Sequence, residues 1–544
     1  MNPLVQQALV GTAKASGSAL PDHPATRLVS LRNDLGTEAR LLLSAGTMAL
    51  ADRAGIMPVN APGLPEPAAD ETCGVCSPAG AAIVADLVSR GLSDQAILIE
   101  AFELIHAAGQ VLPPALLAPA LDLPNRRELR AALRGVLGER GRWMAQFNEA
   151  WHWARHFVDD AQHAERLPTD AETIWQEGDL AARVELLKLA RRHDRPKSRE
   201  WLAGVWNVEK ADARGRLLEA FAMELSADDL PSLEPILKDR SAALRGQAAQ
   251  ALARIDQSPL AERMKARADG LILISSAKSA GFGAKLKSLL GGPAVRLEIT
   301  LPDELAKDWL ADGIEAKPPQ GVGERAFRLM QIVSLVSPRH WQTRSGLAPA
   351  DFLAVAANAE HGDTLIEGLT TAALVFGSTD WLAALWDQLL AADAMANQTR
   401  LARNRIARLQ AVLAALPPAE AEPRLAQLLG SSANWETLNL SAALEVLPRP
   451  WSESFAGQYL RWFWKGASRT QSGDLHNWST SMAIAAVAIP QASFGEALRQ
   501  RPRVSEQETH QFWVKQCEGF QDVVRLRQRL CDALGQTRQE NSAR

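Results

Sequence analysis

Three histidines gather in the stretch Trp151-His152-Trp153-Ala154-Arg155-His156, followed by Phe157-Val158-Asp159-Asp160-Ala161-Gln162-His163. On a helix His152 and His156 stand one turn apart and His163 falls near the same face. That spacing could hold a zinc ion. A zinc hydrolase of the H-E-x-x-H kind also needs a glutamate beside the first histidine as general base, and Trp153 stands in that place. The plainer alternative is a helix surface that happens to carry histidines. Metal-dependent hydrolysis through this face is the third of three functional readings.

Cys73-Gly74-Val75-Cys76 has redox or half-zinc spacing. A thioredoxin-type motif needs a strand before it and a helix after it, whereas a proline-rich loop precedes this one. The other cysteines, Cys517 and Cys531, lie in a helical stretch. Their separation along a continuous helix is about 21 Å, too far to share one metal. Free thiols are the expectation. Ser275-x-x-Lys278 lacks the further elements of a serine acyl enzyme. Gly281-Phe282-Gly283-Ala284-Lys285 lacks the P-loop pattern and reads instead as a basic loop that could touch a partner or phosphate. No cofactor is expected.

Basic clusters occur at Arg126, Arg127, Arg130 and Arg134, and at Arg191, Arg192, Arg195, Lys197 and Arg199. Others are Arg400, Arg403, Arg405 and Arg408, and Arg525, Arg527 and Arg529. Along a concave helical-repeat surface they could track a phosphate backbone, so nucleic-acid binding or repair is the second functional reading. The formal net charge of −4 gives no global pull toward nucleic acid, and a solvated helix face is the favoured account of such runs.

What must position these residues is a set of helices. Arg183, Arg214 and Arg245 recur 31 residues apart inside one apolar frame. Leu186 and Leu187 follow the first, Leu217 and Leu218 the second, Ala248 and Ala249 the third. A period of this length filled with helix-spaced apolar residues marks stacked helical hairpins. In the last unit Leu244, Ala248, Ala251, Leu252 and Ile255 form one stripe. Asp239 is expected to cap the inner helix, and Arg245 to reach back to a capping acid of a neighbouring unit. Alanine and leucine dominate, and tyrosine occurs once. The fold class is therefore all-α, HEAT-like helical-hairpin repeats in two arrays, with at most a short β element near 270–301. The division expected is a helical region 1–170 with a proline-rich loop at 56–80, repeats at 171–269, an irregular linker at 270–301, a second helical array at 302–535 and a polar tail. No apolar run reaches the roughly 18 residues of a spanning helix, and no signal peptide or disulfide framework is visible. The cytoplasm is the expected location.

Several motifs carry a family resemblance. They are Leu9-Val10-Gly11-Thr12, Ser77-Pro78-Ala79, and Arg140-Gly141-Arg142-Trp143 with Asn148 and Trp151. Further along come the run from Trp175 to Met264 with its Asp239-Arg240-Ser241 turn, Asp312-Gly313-Ile314, Pro318-Pro319, Gly321-Val322-Gly323 and Trp341. In this order they resemble a bacterial domain-of-unknown-function family of the DUF5691 type. The family pattern tends to place a proline after Asn148, where Glu149 stands here. The resemblance implies an all-helical, HEAT-like scaffold with no attributed catalytic residues. It also implies a setting, since members are often encoded beside a MoxR-type AAA ATPase, a von Willebrand A-domain protein and a SWIM zinc-finger protein. The first functional reading is thus a non-enzymatic scaffold or adaptor for protein partners, with no membrane involved. Arg183, Arg214, Asp239 and Arg245 are its ladder or partner-binding candidates.

Overall fold

Prolines set where many helices begin. Pro78, Pro114, Pro259, Pro338 and Pro349 open the helices Pro78–Arg90, Pro114–Leu121, Pro259–Leu271, Pro338–Ser345 and Pro349–Ala357. Proline fits there because its fixed φ is helical and its missing N–H would have had no intrahelical partner. Glycines end others: Gly346 and Gly377 take left-handed φ values of 68° and 61° after the helices Pro338–Ser345 and Gly362–Phe376.

The computed structural model describes residues 3–12, 24–30, 32, 34–54, 65–91, 95–124, 126–156, 166–256, 258–276, 295–391, 400–430, 440–467, 475–499 and 507–542. His163, Lys278, the loop Gly281–Lys285 and Pro58 and Pro62 of the proline-rich loop lie outside these residues. The chain divides into two compact units, Met1–Ala68 and Ala69–Arg544. The first contains the helices Pro3–Val10, Pro24–Ser30 and Thr37–Arg53.

The second unit is a succession of helices with two short strand pairs among the described residues. Gly74–Val75 runs parallel to Gln110–Val111. Ile272–Ser276 pairs antiparallel with Val295–Ile299, Ile272 opposite Ile299 and Ile274 opposite Leu297. The second strand alternates: Val295, Leu297 and Ile299 are buried, Arg296 and Glu298 exposed. The fold is all-α and helical-repeat. Three inner helices, Leu180–His193, Ala211–Phe221 and Ala242–Ala253, start 31 residues apart and pack each on the next. None of the described helices is long and apolar enough to cross a membrane.

Two hydrophobic cores run through this unit. One extends from Ile174 to Val524 and takes in Ile272, Leu297 and Ile299 of the strand pair. The other joins Cys76 through Ala154 to Leu530 and Leu534. The helix Gln507–Ser542 reaches both, because it packs on Pro78–Arg90 and Gln95–Ala107 as well as on Leu475–Ala488. Ser77 sits at this junction. Its Oγ accepts the Gly80 N–H, capping Pro78–Arg90, and donates to the Ala533 carbonyl at 2.8 Å. Gly80 must be small: a Cβ there would lie 2.4 Å from Leu534 Cδ2.

Arg527 fastens the junction. Its Nε and Nη2 donate to the two carboxylate oxygens of Glu100 at 2.6 and 2.8 Å. Nη1 donates to the carbonyls of Ala486 and Ile489, both at 2.9 Å, and the guanidinium lies over the Phe494 ring. Arg527 is 3% exposed, so losing its acid leaves a charge in the core. Glu100→Gln is expected to destabilise the protein by about 3 kcal/mol. A lowered thermal or urea midpoint supports the clamp; an unchanged midpoint rejects it.

Candidate interaction surface and the arginine ladder

The recurring arginines are held by two kinds of neighbour. Arg183 lies over the Trp175 ring at 4.8 Å and Arg214 over Trp206 at 5.2 Å. Each tryptophan precedes its arginine by the same interval, so cation and ring recur together. The charge is met by an acid. Arg183 Nη1 donates to Glu209 at 2.6 Å, Arg214 Nη1 to Asp239, and Arg245 Nη2 to Glu315 at 2.8 Å. All three acids lie ahead in the chain. This departs from the expectation that Arg245 reaches back to a neighbouring cap. It does turn back to backbone, with Nη1 on the Asp239 carbonyl at 2.9 Å. Asp239 itself accepts the Ser241 N–H through Oδ1, so it braces the turn before Ala242–Ala253 rather than capping inside the helix.

An earlier rung comes from outside the periodic arginines. Arg134 donates to Asp179 at 2.7 Å, and Asp179 caps Leu180–His193 through the Ala182 N–H. Beyond Arg245, Asp312 is 4% exposed and pairs with both Arg263 and Arg267. Gly313 next to it has φ +84°, and a Cβ there would meet Ala249 Cβ at 3.2 Å and the Arg245 carbonyl at 3.3 Å. Ile314 enters the core. Asp312-Gly313-Ile314-Glu315 therefore docks the chain against the third repeat.

The nucleic-acid candidates are placed otherwise than a phosphate-binding stripe requires. Arg191 is fully buried. Its guanidinium donates to Asp229 Oδ1 and Oδ2 at 3.0 and 2.6 Å, to Ser198 Oγ and to the Glu224 carbonyl, and it lies over the Phe221 ring at 4.1 Å. Arg199 adds a second cation to Asp229. Arg195 pairs with Glu224, and Lys197 with Glu172 and Glu200. Arg192 is exposed. A buried arginine cannot reach a phosphate, and the paired ones already have anions. Burial by itself raises the Asp229 carboxyl, but Arg191, the Ser226 N–H and Arg199 hold it below its ordinary 3.8.

His152 and His156 are not brought together as an α-helical face. Glu149–Ala154 is a 3₁₀ helix capped by Asn148, whose Oδ1 accepts the Ala150 N–H. His152 is exposed on it, and His156 beyond it meets Glu177 at 3.3 Å. The 3₁₀ helix ends at Ala154, two residues before His156, so the i, i+4 argument does not apply. No group of three His, Cys, Asp or Glu side chains suited to a metal occurs among the described residues. Cys73 and Cys76 flank the short strand Gly74–Val75, one exposed and one buried, and both are free thiols. Burial pushes the Cys76 thiol up.

Apolar exposure is concentrated elsewhere. Val5, Leu9, Val10, Leu42, Leu43 and Leu50 are six of the thirteen exposed large apolar residues among the described ones, and all lie in the unit Met1–Ala68. Leu42, Leu43 and Leu50 span roughly 100° of the Thr37–Arg53 helix at about 100° per residue. Leu42 is 73% and Leu50 66% exposed.

A family model described as a family of unknown function, DUF5691, matches residues 3–534. The chain belongs to that family. Among curated proteins none matches it. For this DUF5691 member the ladder explains why Asp239, Asp312, Gly313 and the spaced arginines occur where they do. Sequence reasoning missed Glu209, Asp229 and Glu315. The first has a signal, since Glu209 and Asp239 follow Arg183 and Arg214 at nearly equal intervals.

Two outcomes follow from these pairs. Asp229→Asn strands the Arg191 charge and is expected to destabilise by about 3 to 5 kcal/mol near neutral pH. Because the native Asp229 value is depressed, its contribution is complete above the ordinary 3.8 and is lost as pH falls through the lower native value. The midpoint gap between wild type and Asp229→Asn should hold from neutral pH down to that range and then close. A gap that already closes between pH 7 and 5 would contradict the assignment. Along the ladder, Arg214→Ala should lower the melting temperature more than Arg245→Ala, because the Arg214 side chain is 8% exposed and that of Arg245 23%. The reverse order would sink the ladder as the cause.

Proposed function

We propose that this protein is a non-enzymatic helical-repeat scaffold that binds protein partners, and that its partners belong to an AAA ATPase system with a von Willebrand A-domain protein. The observation that carries the reading is the set of exposed large apolar side chains on the helices Pro3–Val10 and Thr37–Arg53. Large apolar side chains held in water are costly at about 25 cal/mol per Å², and clustered ones mark contact surfaces. The ladder supports it from the other side. A stack whose repeats are fixed to one another by buried charges can present surfaces in constant geometry. The partner system rests on the genomic habit of the family that the chain resembles. The cytoplasm is the compartment that goes with this reading.

The test is affinity capture of the tagged full chain from its native cells, with nuclease and with and without ATP, read by mass spectrometry. The expected result is an AAA ATPase or von Willebrand A-domain protein that survives nuclease and is lost in a Leu42→Asp, Leu50→Asp double variant of unchanged helix content. Recovery only of nucleic-acid-associated proteins, lost on nuclease treatment, would overturn the reading and favour nucleic-acid binding.

A further inference from the structure

The helices Pro418–Gly430 and Glu453–Ala467 pack together and leave a groove of about 750 Å³ between them. Glu422 lines it and is only 7% exposed. One of its oxygens, Oε1, accepts the Ser452 N–H at 2.9 Å, just before the N-terminus of Glu453–Ala467. Among the described residues no cation reaches this carboxylate. The arginine nearest in its own helix, Arg424, is committed to Glu420, to both its side chain and its carbonyl. Glu422 is thus an acid without a counter-ion, in a molecule whose other buried acids, Asp229, Asp239 and Asp312, each have an arginine.

One N–H and the positive end of a helix offset part of the cost of burying a carboxylate. An ionised carboxylate can accept about four hydrogen bonds, so Glu422 retains acceptor capacity on the groove side. The walls say what the cation must look like. Pro418, Pro423, Pro450 and Ala426 supply apolar surface, and Gln427 and Gln458 supply neutral polar groups. A calcium or magnesium ion asks for about six oxygen ligands, and Glu422 is the single carboxylate lining the groove. Apolar walls with one acid suit instead a charged head on a hydrocarbon stem.

We propose that the groove binds an organic cation carried on an aliphatic stem, an alkylguanidinium or alkylammonium, with Glu422 as its counter-ion. The cation can come from a free amine or from a basic side chain of a polypeptide. This proposal stands apart from the scaffold reading, since it rests on a different element and a different chemistry.

The full chain would be titrated by calorimetry with agmatine, with an acetylated and amidated Gly-Arg-Gly peptide, and with uncharged butylurea. Saturable binding of agmatine or of the peptide, and not of butylurea, is expected. Tighter agmatine identifies a free amine as the source, and tighter peptide a basic side chain. Glu422→Gln keeps an oxygen for the Ser452 N–H, so its melting temperature should stay near that of wild type while affinity falls about tenfold or more. Ala426→Phe, one turn from Glu422 on the same helix, fills the groove and should also abolish binding. Failure of both cationic probes to bind, or equal affinity in wild type and Glu422→Gln, would overturn the proposal.

Discussion

A guanidinium taken out of water needs an anion, because it cannot shed its proton. That requirement organises the repeat region. Arg183, Arg191 and Arg214 enter the stack, and each finds its acid outside its own helix, on Glu209, Asp229 and Asp239. Hydrophobic stripes of leucine and alanine tolerate sliding by a turn; the fork of Arg191 on the two oxygens of Asp229 does not. Buried pairs of this kind add little net stability over apolar substitutes. Here their consequence is register, since the wrong alignment would strand both charges.

The same constraint operates at the junction formed by the last helix. Repeat stacks normally need terminal caps, because an end helix has an apolar face and no neighbour. In this protein Gln507–Ser542 lays Leu530 and Leu534 into the core that contains Ile83 and Leu87. Arg527 then distributes its donors over Glu100 and two carbonyls. Closing a loop of more than 400 residues carries an entropic cost that grows only slowly with length, so a few strong contacts suffice to hold it.

What was legible in the sequence was whatever repeats locally. The period of Arg183, Arg214 and Arg245 and the stripe from Leu244 to Ile255 depend on neighbours within a few turns. What was not legible depends on distant residues. Arg191 stands in a run that reads as a solvated basic face, and its burial is decided by Phe221 and Asp229 on other helices. Arg527 reads the same way in a cluster whose other members, Arg525 and Arg529, are not fully buried. The α-helix expected to join His152 and His156 is absent for a local reason: Glu149–Ala154 winds as a 3₁₀ helix, which helix periodicity in the sequence does not distinguish from α.

The distribution of charge then says where recognition can occur. In the repeats most described arginines are already matched to acids, so a partner approaching them would have to compete with anions that are closer and desolvated. Two regions lack such matching. The helices of residues 3–53 expose leucine and valine, and the groove at Glu422 holds an acid without a cation. The two differ in what they can select. An apolar stripe gives affinity with little discrimination, whereas a buried carboxylate rejects any group that cannot replace the water it has lost. A helical frame locked by its own ion pairs is free to carry both, because neither has to contribute to holding the repeats together.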